Sequence, residues 1–145
     1  MGITADCAAA EDSPSTALLA GVNRQRAQHG LAPLALDARL TAAAQAHAED
    51  MAARNLLSHE SSDGARLDAR LERAGYRYRF AAENISAGLP DPLRTVERWM
   101  ESKGHRANIL EKTATEAGIG HVDLPRADAR TGFRNYWVLV LARPM

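Results

Sequence analysis

The sequence contains one cysteine, Cys7, so no disulfide forms within the chain and no site of four thiolates can be built. It also lacks any run near the roughly 18 consecutive apolar residues that a membrane-spanning helix needs. With a quarter of its residues charged, the chain reads as soluble. An excess of positive charge is missing too: 18 Lys and Arg stand against 18 Asp and Glu. A nucleic-acid binder carries a basic surplus that displaces counterions from phosphates, so that class is excluded. The balance is uneven along the chain, −4 over residues 1–72 and +4 over 73–145, which suits two halves that pack together. No basic stretch followed by an apolar segment opens the sequence, so no signal peptide is read in it. Asp6 precedes Cys7 where a lipoprotein anchor has a small uncharged residue, and it occupies the place where N-myristoylation needs Ser or Thr.

What is present is 145 residues with 46% hydrophobic content, enough for one domain with a modest core. Residues 1–14 read as a flexible N-terminal segment and 15–145 as a single domain. Ser13-Pro14 pairs an N-cap with a proline at the first helical position. The helix that follows places Leu18, Val22 and Gln25 on one face and stops before Gly30. Leu34 and Leu36 alternate briefly. Asp37 then caps a second helix with Leu40, Ala44, His47 and Met51 on one stripe, so His47 is expected in the core. A third helix is predicted over 63–74, carrying Leu67, Leu71 and Ala74 and ending at Gly75. Tyr76, Tyr78 and Phe80 alternate as in an extended segment. Asp91-Pro92 starts a fourth helix with Leu93, Val96, Trp99 and Met100, followed by a helical turn over 105–110. Segments 119–124 and 135–142 read as a β-hairpin around Pro125 and Gly132. The sum is one α+β domain.

Five histidines form the chemical inventory. His29 ends a helix, where a partly cationic ring suits the dipole, and His47 belongs to the core. His121 lies in the hairpin. His59 and His105 stand in polar stretches just past predicted helices, Ser58-His59-Glu60 and Gly104-His105-Arg106, and Glu83-Asn84-Ile85 lies between them in sequence. Gaps of 24 and 22 residues make no local metal motif. If the three converge, two neutral imidazoles and a carboxylate suit a divalent transition ion with open positions, and they serve equally well as a hydrogen-bonded structural network. No G-x-S-x-G elbow, G-x-G-x-x-G fingerprint or P-loop occurs; Gly118-Ile119-Gly120 lacks the third glycine.

Taken in order, these fragments resemble the CAP superfamily of cysteine-rich secretory, antigen 5 and pathogenesis-related 1 proteins, in its short bacterial form. The resemblance runs from Asn23-Arg24-Gln25-Arg26 through Ala46-His47-Ala48-Glu49-Asp50-Met51-Ala52, Ser58-His59, Ala74-Gly75-Tyr76, Glu83-Asn84-Ile85 and Trp99-Met100. It continues in Gly104-His105-Arg106-Ala107-Asn108-Ile109-Leu110, Thr115-Glu116-Ala117-Gly118-Ile119-Gly120 and Tyr136-Trp137. It implies an α-β-α sandwich, a small antiparallel sheet covered by helices on both faces. It also implies a cleft lined by two histidines and two acids that in some members binds zinc or another divalent ion. Carried over, the histidines are His59 and His105 and the first acid is Glu83. The second acid is Glu116, which serves equally as a brace for its loop; Glu101 is the weaker match, one step before the family's glutamate position, held here by Ser102.

The resemblance further implies a secreted or periplasmic binding module whose partner is an extracellular protein, a cell-wall component or a lipid. The alternatives are a metal-dependent or His/Glu-assisted hydrolase of peptides or esters, using His59, Glu83, His105 and Glu116, and a sterol- or lipid-binding protein. The cysteine pairs and cysteine-rich extension of larger relatives are absent, so channel-blocking activity does not carry over. Trp99 and Trp137 read as core anchors.

Overall fold

The structure, a computed structural model, describes residues 13–145; residues 1–12 with Cys7, most of the expected flexible segment, lie outside the described residues. Helix α1 (Pro14–Gln28) begins where the cap-and-proline pair sets it, the Ser13 hydroxyl accepting the amide of Thr16. After strand β1 (Ala35–Leu36), Asp37 caps α2 (Ala38–Arg54) by accepting the amides of Arg39 and Leu40. Next come α3 (Leu67–Arg73), β2 (Tyr78–Ala87), α4 (Pro92–Glu101) and α5 (Lys103–Ile109). The hairpin strands β3 (Glu116–Asp123) and β4 (Asn135–Pro144) close the chain.

The four strands form one sheet in the order β1-β3-β4-β2. The expectation of an antiparallel sheet needs one correction: β1 runs parallel to β3, through two residue pairs, so the sheet is mixed. Both long pairings, β2 with β4 and β3 with β4, are antiparallel. Strand β4 is central and buried on both faces, and its alternation divides the core in two. Tyr136, Val138, Val140 and Ala142 pack with Leu40, Ala44 and Met51 of α2 and Leu71 of α3. Trp137, Leu139 and Leu141 face the other way, onto Leu18 and Val22 of α1, Val96 and Trp99 of α4 and Ile109 of α5. Each fully buried Leu or Val here contributes about 1.5–3 kcal/mol. Helices thus cover both faces of the sheet. Trp99 and Trp137 are buried anchors, each tied by its indole N–H to a backbone carbonyl, of Ile85 and Leu89 respectively.

Three further readings differ from the structure. The third helix starts at Leu67 rather than 63, because residues 61–65 close a tight turn. There the amide of Ser61 bonds the carbonyl of Ala65 and the amide of Gly64 bonds that of Ser61. The extended segment at Tyr78 and Phe80 runs on to Ala87 and carries Glu83-Asn84-Ile85 into the sheet. On α1 the buried position is Arg26, one residue past Gln25. Arg26 is 1% exposed, and its guanidinium donates to the carbonyls of Ala32, Ile109, Glu111 and Ala114 at 2.8–3.3 Å. It ties α1 to the turn between α5 and β3, and the four acceptors make a buried charge tolerable.

Candidate functional site

The site is built on two consecutive residues of β2, the edge strand. Neighbouring side chains on a strand point to opposite faces, and Glu83 and Asn84 use that alternation to hold one histidine each. Glu83 faces the α2/α3 layer. Its Oε1 accepts from Nδ1 of His59 at 2.9 Å and from Nη2 of Arg70 at 2.9 Å, and its Oε2 accepts from Nη1 of Arg70 at 2.6 Å. Asn84 faces the other layer and is fully buried. It donates to the backbone carbonyl of His105 at 3.0 Å and accepts from Nδ2 of Asn108 at 2.9 Å. A side chain from the loop beyond α2 and the backbone of a residue of α5 are thus both held from β2, and His59 lies near enough for its charge to act on the His105 ring.

The electrostatics follow from burial. The Glu83 side chain is 3% exposed, which alone pushes its pKa up. The hydrogen bonds from His59 and Arg70 and the Arg70 charge outweigh that and hold it below the ordinary carboxylate value. Arg70, with its side chain 7% exposed, is the bidentate partner that makes this possible, and it also donates Nη2 to the carbonyl of His59 at 2.8 Å. A carboxylate only accepts, so Nδ1 of His59 carries the proton in this bond and Nε2 is turned away from Glu83. Burial, and then the charge of nearby His59, hold the His105 pKa below its ordinary value, which favours the neutral ring.

The other expected site residues lie elsewhere. Glu116 is on β3, with β4 between it and Glu83, and its Oε1 accepts the hydroxyl of Tyr76 at 2.7 Å. It braces the chain after α3 against the sheet and stands apart from the Glu83–His59 pair. Burial, and then that hydrogen bond, push the Tyr76 phenol well above its ordinary value. Glu101 ends α4, exposed, beside Glu97 and Arg98. His29 accepts from Arg106 at the surface, and His121 stacks on Trp137 with ring centroids 3.8 Å apart. His47 is buried as expected, its Nε2 2.7 Å from the carbonyl of Ser58 and its Nδ1 3.2 Å from Oγ of Ser61. Among the described residues no three His, Cys, Asp or Glu side chains form a ready metal cage.

Sequence reasoning missed Arg70. Its signal was in view: Leu67, Arg70 and Ala74 fall on one helical face, so an arginine interrupts an apolar stripe, as Arg26 does after Leu18 and Val22. The pKa shifts also fix a pH dependence. His47 and Glu83 both have folded values below their ordinary 6.5 and 4.5. The stability they add is therefore full above those ordinary values and is lost as pH falls through the folded ones. Urea midpoints should hold from pH 8 to about 6.5, then decline, with a steeper decline below about 4.5. A midpoint constant down to pH 4.5 contradicts the neutral buried His47.

The family follows from comparison. The model of the cysteine-rich secretory protein family, CAP, matches residues 19–141, and the chain belongs to this family. It is 38% identical over 102 residues to YkwD of Bacillus subtilis, a match spanning 70% of this chain and 39% of YkwD. In three dimensions it is similar to an extracellular protein containing an SCP domain from Bacillus anthracis, with TM-score 0.78 and 28% identity over 90% of this chain and 40% of that one. An outer surface protein of Borrelia burgdorferi shares the fold, with TM-score 0.80 at 15% identity over 93% of this chain and 96% of that one. The chain thus spans about two fifths of the two Bacillus proteins. No helix among the described residues is long and apolar enough to cross a membrane.

Proposed function

We propose that this domain is an extracytoplasmic binding module whose His59/His105 cleft takes a divalent transition-metal ion, zinc above all. Through that ion it would engage an extracellular protein or cell-wall ligand. The observation that carries the reading is the chain Arg70–Glu83–His59. A buried carboxylate fixed by a bidentate arginine orients one imidazole through Nδ1 and leaves Nε2 outward, near a second imidazole held neutral. Metal-binding histidines are commonly oriented in this way by a carboxylate on the other ring nitrogen. The donor set fits such an ion as a two-histidine half-site: both oxygens of Glu83 are engaged by Arg70, so Glu83 orients a ligand rather than serving as one. The remaining positions fall to water or to a group of the partner. The extracytoplasmic location is supported by membership of a secretory family and by likeness to the extracellular Bacillus anthracis protein.

The test is zinc titration of the chelator-stripped protein by calorimetry at pH 7. Wild type is expected to bind one ion, with binding abolished in His59→Ala/His105→Ala and weakened about 10–100-fold in Glu83→Gln. No heat from folded wild type, or equal binding by the double variant, overturns the reading.

A further inference from the structure

A cavity of about 380 Å³ opens between α2, α3 and the turn at 61–63, and neither His59, Glu83 nor His105 lines it. Its volume is in the range of small-molecule pockets, and Ala42, Ala43, Ala46 and Ala74 give it an apolar wall. Into that wall are set His47 and Ser61. Nε2 of His47 lies 2.7 Å from the carbonyl oxygen of Ser58, an atom that only accepts, so Nε2 carries the ring proton and Nδ1 bears a lone pair. Oγ of Ser61, 3.2 Å from Nδ1, therefore donates its hydroxyl proton to the imidazole.

The order hydroxyl, imidazole, orienting acceptor is that of an activated serine. His47 is 1% exposed; burial and then the Arg70 charge hold its pKa below 6.5, so the ring is neutral at pH 7 and able to take a proton. The hydroxyl is not needed to close its own turn, which the backbone of Ser61 already closes with Ala65 and Gly64. Arg70 lines the same cavity, and its charge acts on His47, so the cavity wall carries a fixed positive charge.

We propose that Ser61 and His47 are a nucleophile and base that accept acyl groups from small carboxylic esters bound in this cavity. Ser61 Oγ bonds the acyl carbon as its proton passes to Nδ1 of His47. The bond from that carbon to the alcohol oxygen breaks, and the alcohol leaves with the proton. Water then attacks the acyl-serine, with His47 taking its proton and returning it to Ser61 as the carboxylic acid departs. No metal enters these steps, although Arg70 borders both this cavity and the Glu83–His59 pair.

The test is covalent labelling of the folded protein by a fluorophosphonate, followed by intact mass and peptide mapping, with hydrolysis of 4-nitrophenyl acetate measured alongside. One adduct on Ser61 is expected in folded wild type, none in urea-unfolded protein or in Ser61→Ala, and chelator leaves the rate unchanged. His47→Gln, its fold checked by circular dichroism, is expected to label at least about 100-fold more slowly. Should that variant not fold, the wild-type labelling rate carries the same information: it falls on acidification with an ionisation below the ordinary 6.5 of histidine. Absence of an adduct on Ser61 in folded wild type, full-rate labelling of folded His47→Gln, or a labelling rate lost through an ionisation at or above 6.5 each overturns the proposal.

Discussion

Arg70→Ala is expected to lower the stability of the domain by about 3–5 kcal/mol, the cost of leaving one member of a buried ion pair alone. Both oxygens of Glu83 receive the Arg70 guanidinium, and the two side chains are 3% and 7% exposed, so the variant leaves a buried carboxylate without its charged partner. The loss does not end at the pair. Arg70 also holds the backbone carbonyl of His59, so its removal frees the loop and the ring together. Urea unfolding at pH 7 followed by circular dichroism measures the effect, and the double change Arg70→Met/Glu83→Leu should recover much of it, because no unpaired charge remains. A loss under about 1 kcal/mol in Arg70→Ala would show that the pair is solvated and that Glu83 is not the fixed point of the cleft.

Gly120→Ala is the second large effect, with a loss of about 3 kcal/mol or more and a collapse in folded yield. Gly118 and Gly120 lie on the same face of β3, and α2 crosses that face so closely that a Cβ at either position would fall on helix backbone. At Gly118 it meets Leu40 and Thr41, and at Gly120 it meets Ala44 and Gln45. Backbone cannot step aside as a flexible side chain can; the whole helix would have to withdraw from the sheet, taking the Leu40, Ala44 and Met51 contacts with it. The contrast is Gly104 in α5, where an added Cβ meets nothing within 4 Å. Gly104→Ala should be neutral or gain about 0.5–1 kcal/mol from helix propensity. Thermal unfolding of the two variants side by side decides it: a Gly120→Ala midpoint near that of wild type would contradict the close approach of α2 to β3.

Those glycines also show what the sequence could and could not say. The motif Gly118-Ile119-Gly120 was visible, and the missing third glycine ruled out a phosphate loop, but the reason for two glycines lies 75 to 78 residues away on α2. Helix starts were legible because a cap and a proline act locally: Ser13-Pro14, Asp37 and Asp91-Pro92 each begin a helix as read. The polar Glu83-Asn84 step was not legible as strand, because an edge strand that grips side chains from both layers carries no hydrophobic alternation. Arg26 and Arg70 escaped for a related reason: an arginine on an apolar stripe is understood only through its acceptors, and those of Arg26 on the turn after α5 are 83 to 88 residues distant. Polar context past the predicted helices raised His59, Glu83 and His105 as one candidate group, and the resemblance assigned them to a cleft. The structure joins His59 to Glu83 directly, ties the backbone of His105 to the next strand residue, Asn84, and gives Glu116 to Tyr76.

In the proposed site His59 and His105 hold a divalent ion while Glu83 stays with Arg70. The most direct measurement is diffraction from crystals grown with zinc, recorded on both sides of the zinc absorption edge. One anomalous peak is expected about 2.0–2.1 Å from a ring nitrogen of each histidine, with the Glu83 carboxylate still bonded to Arg70 and to Nδ1 of His59. A peak on the Glu83 carboxylate with Arg70 displaced, or no peak between the two histidines, would contradict it.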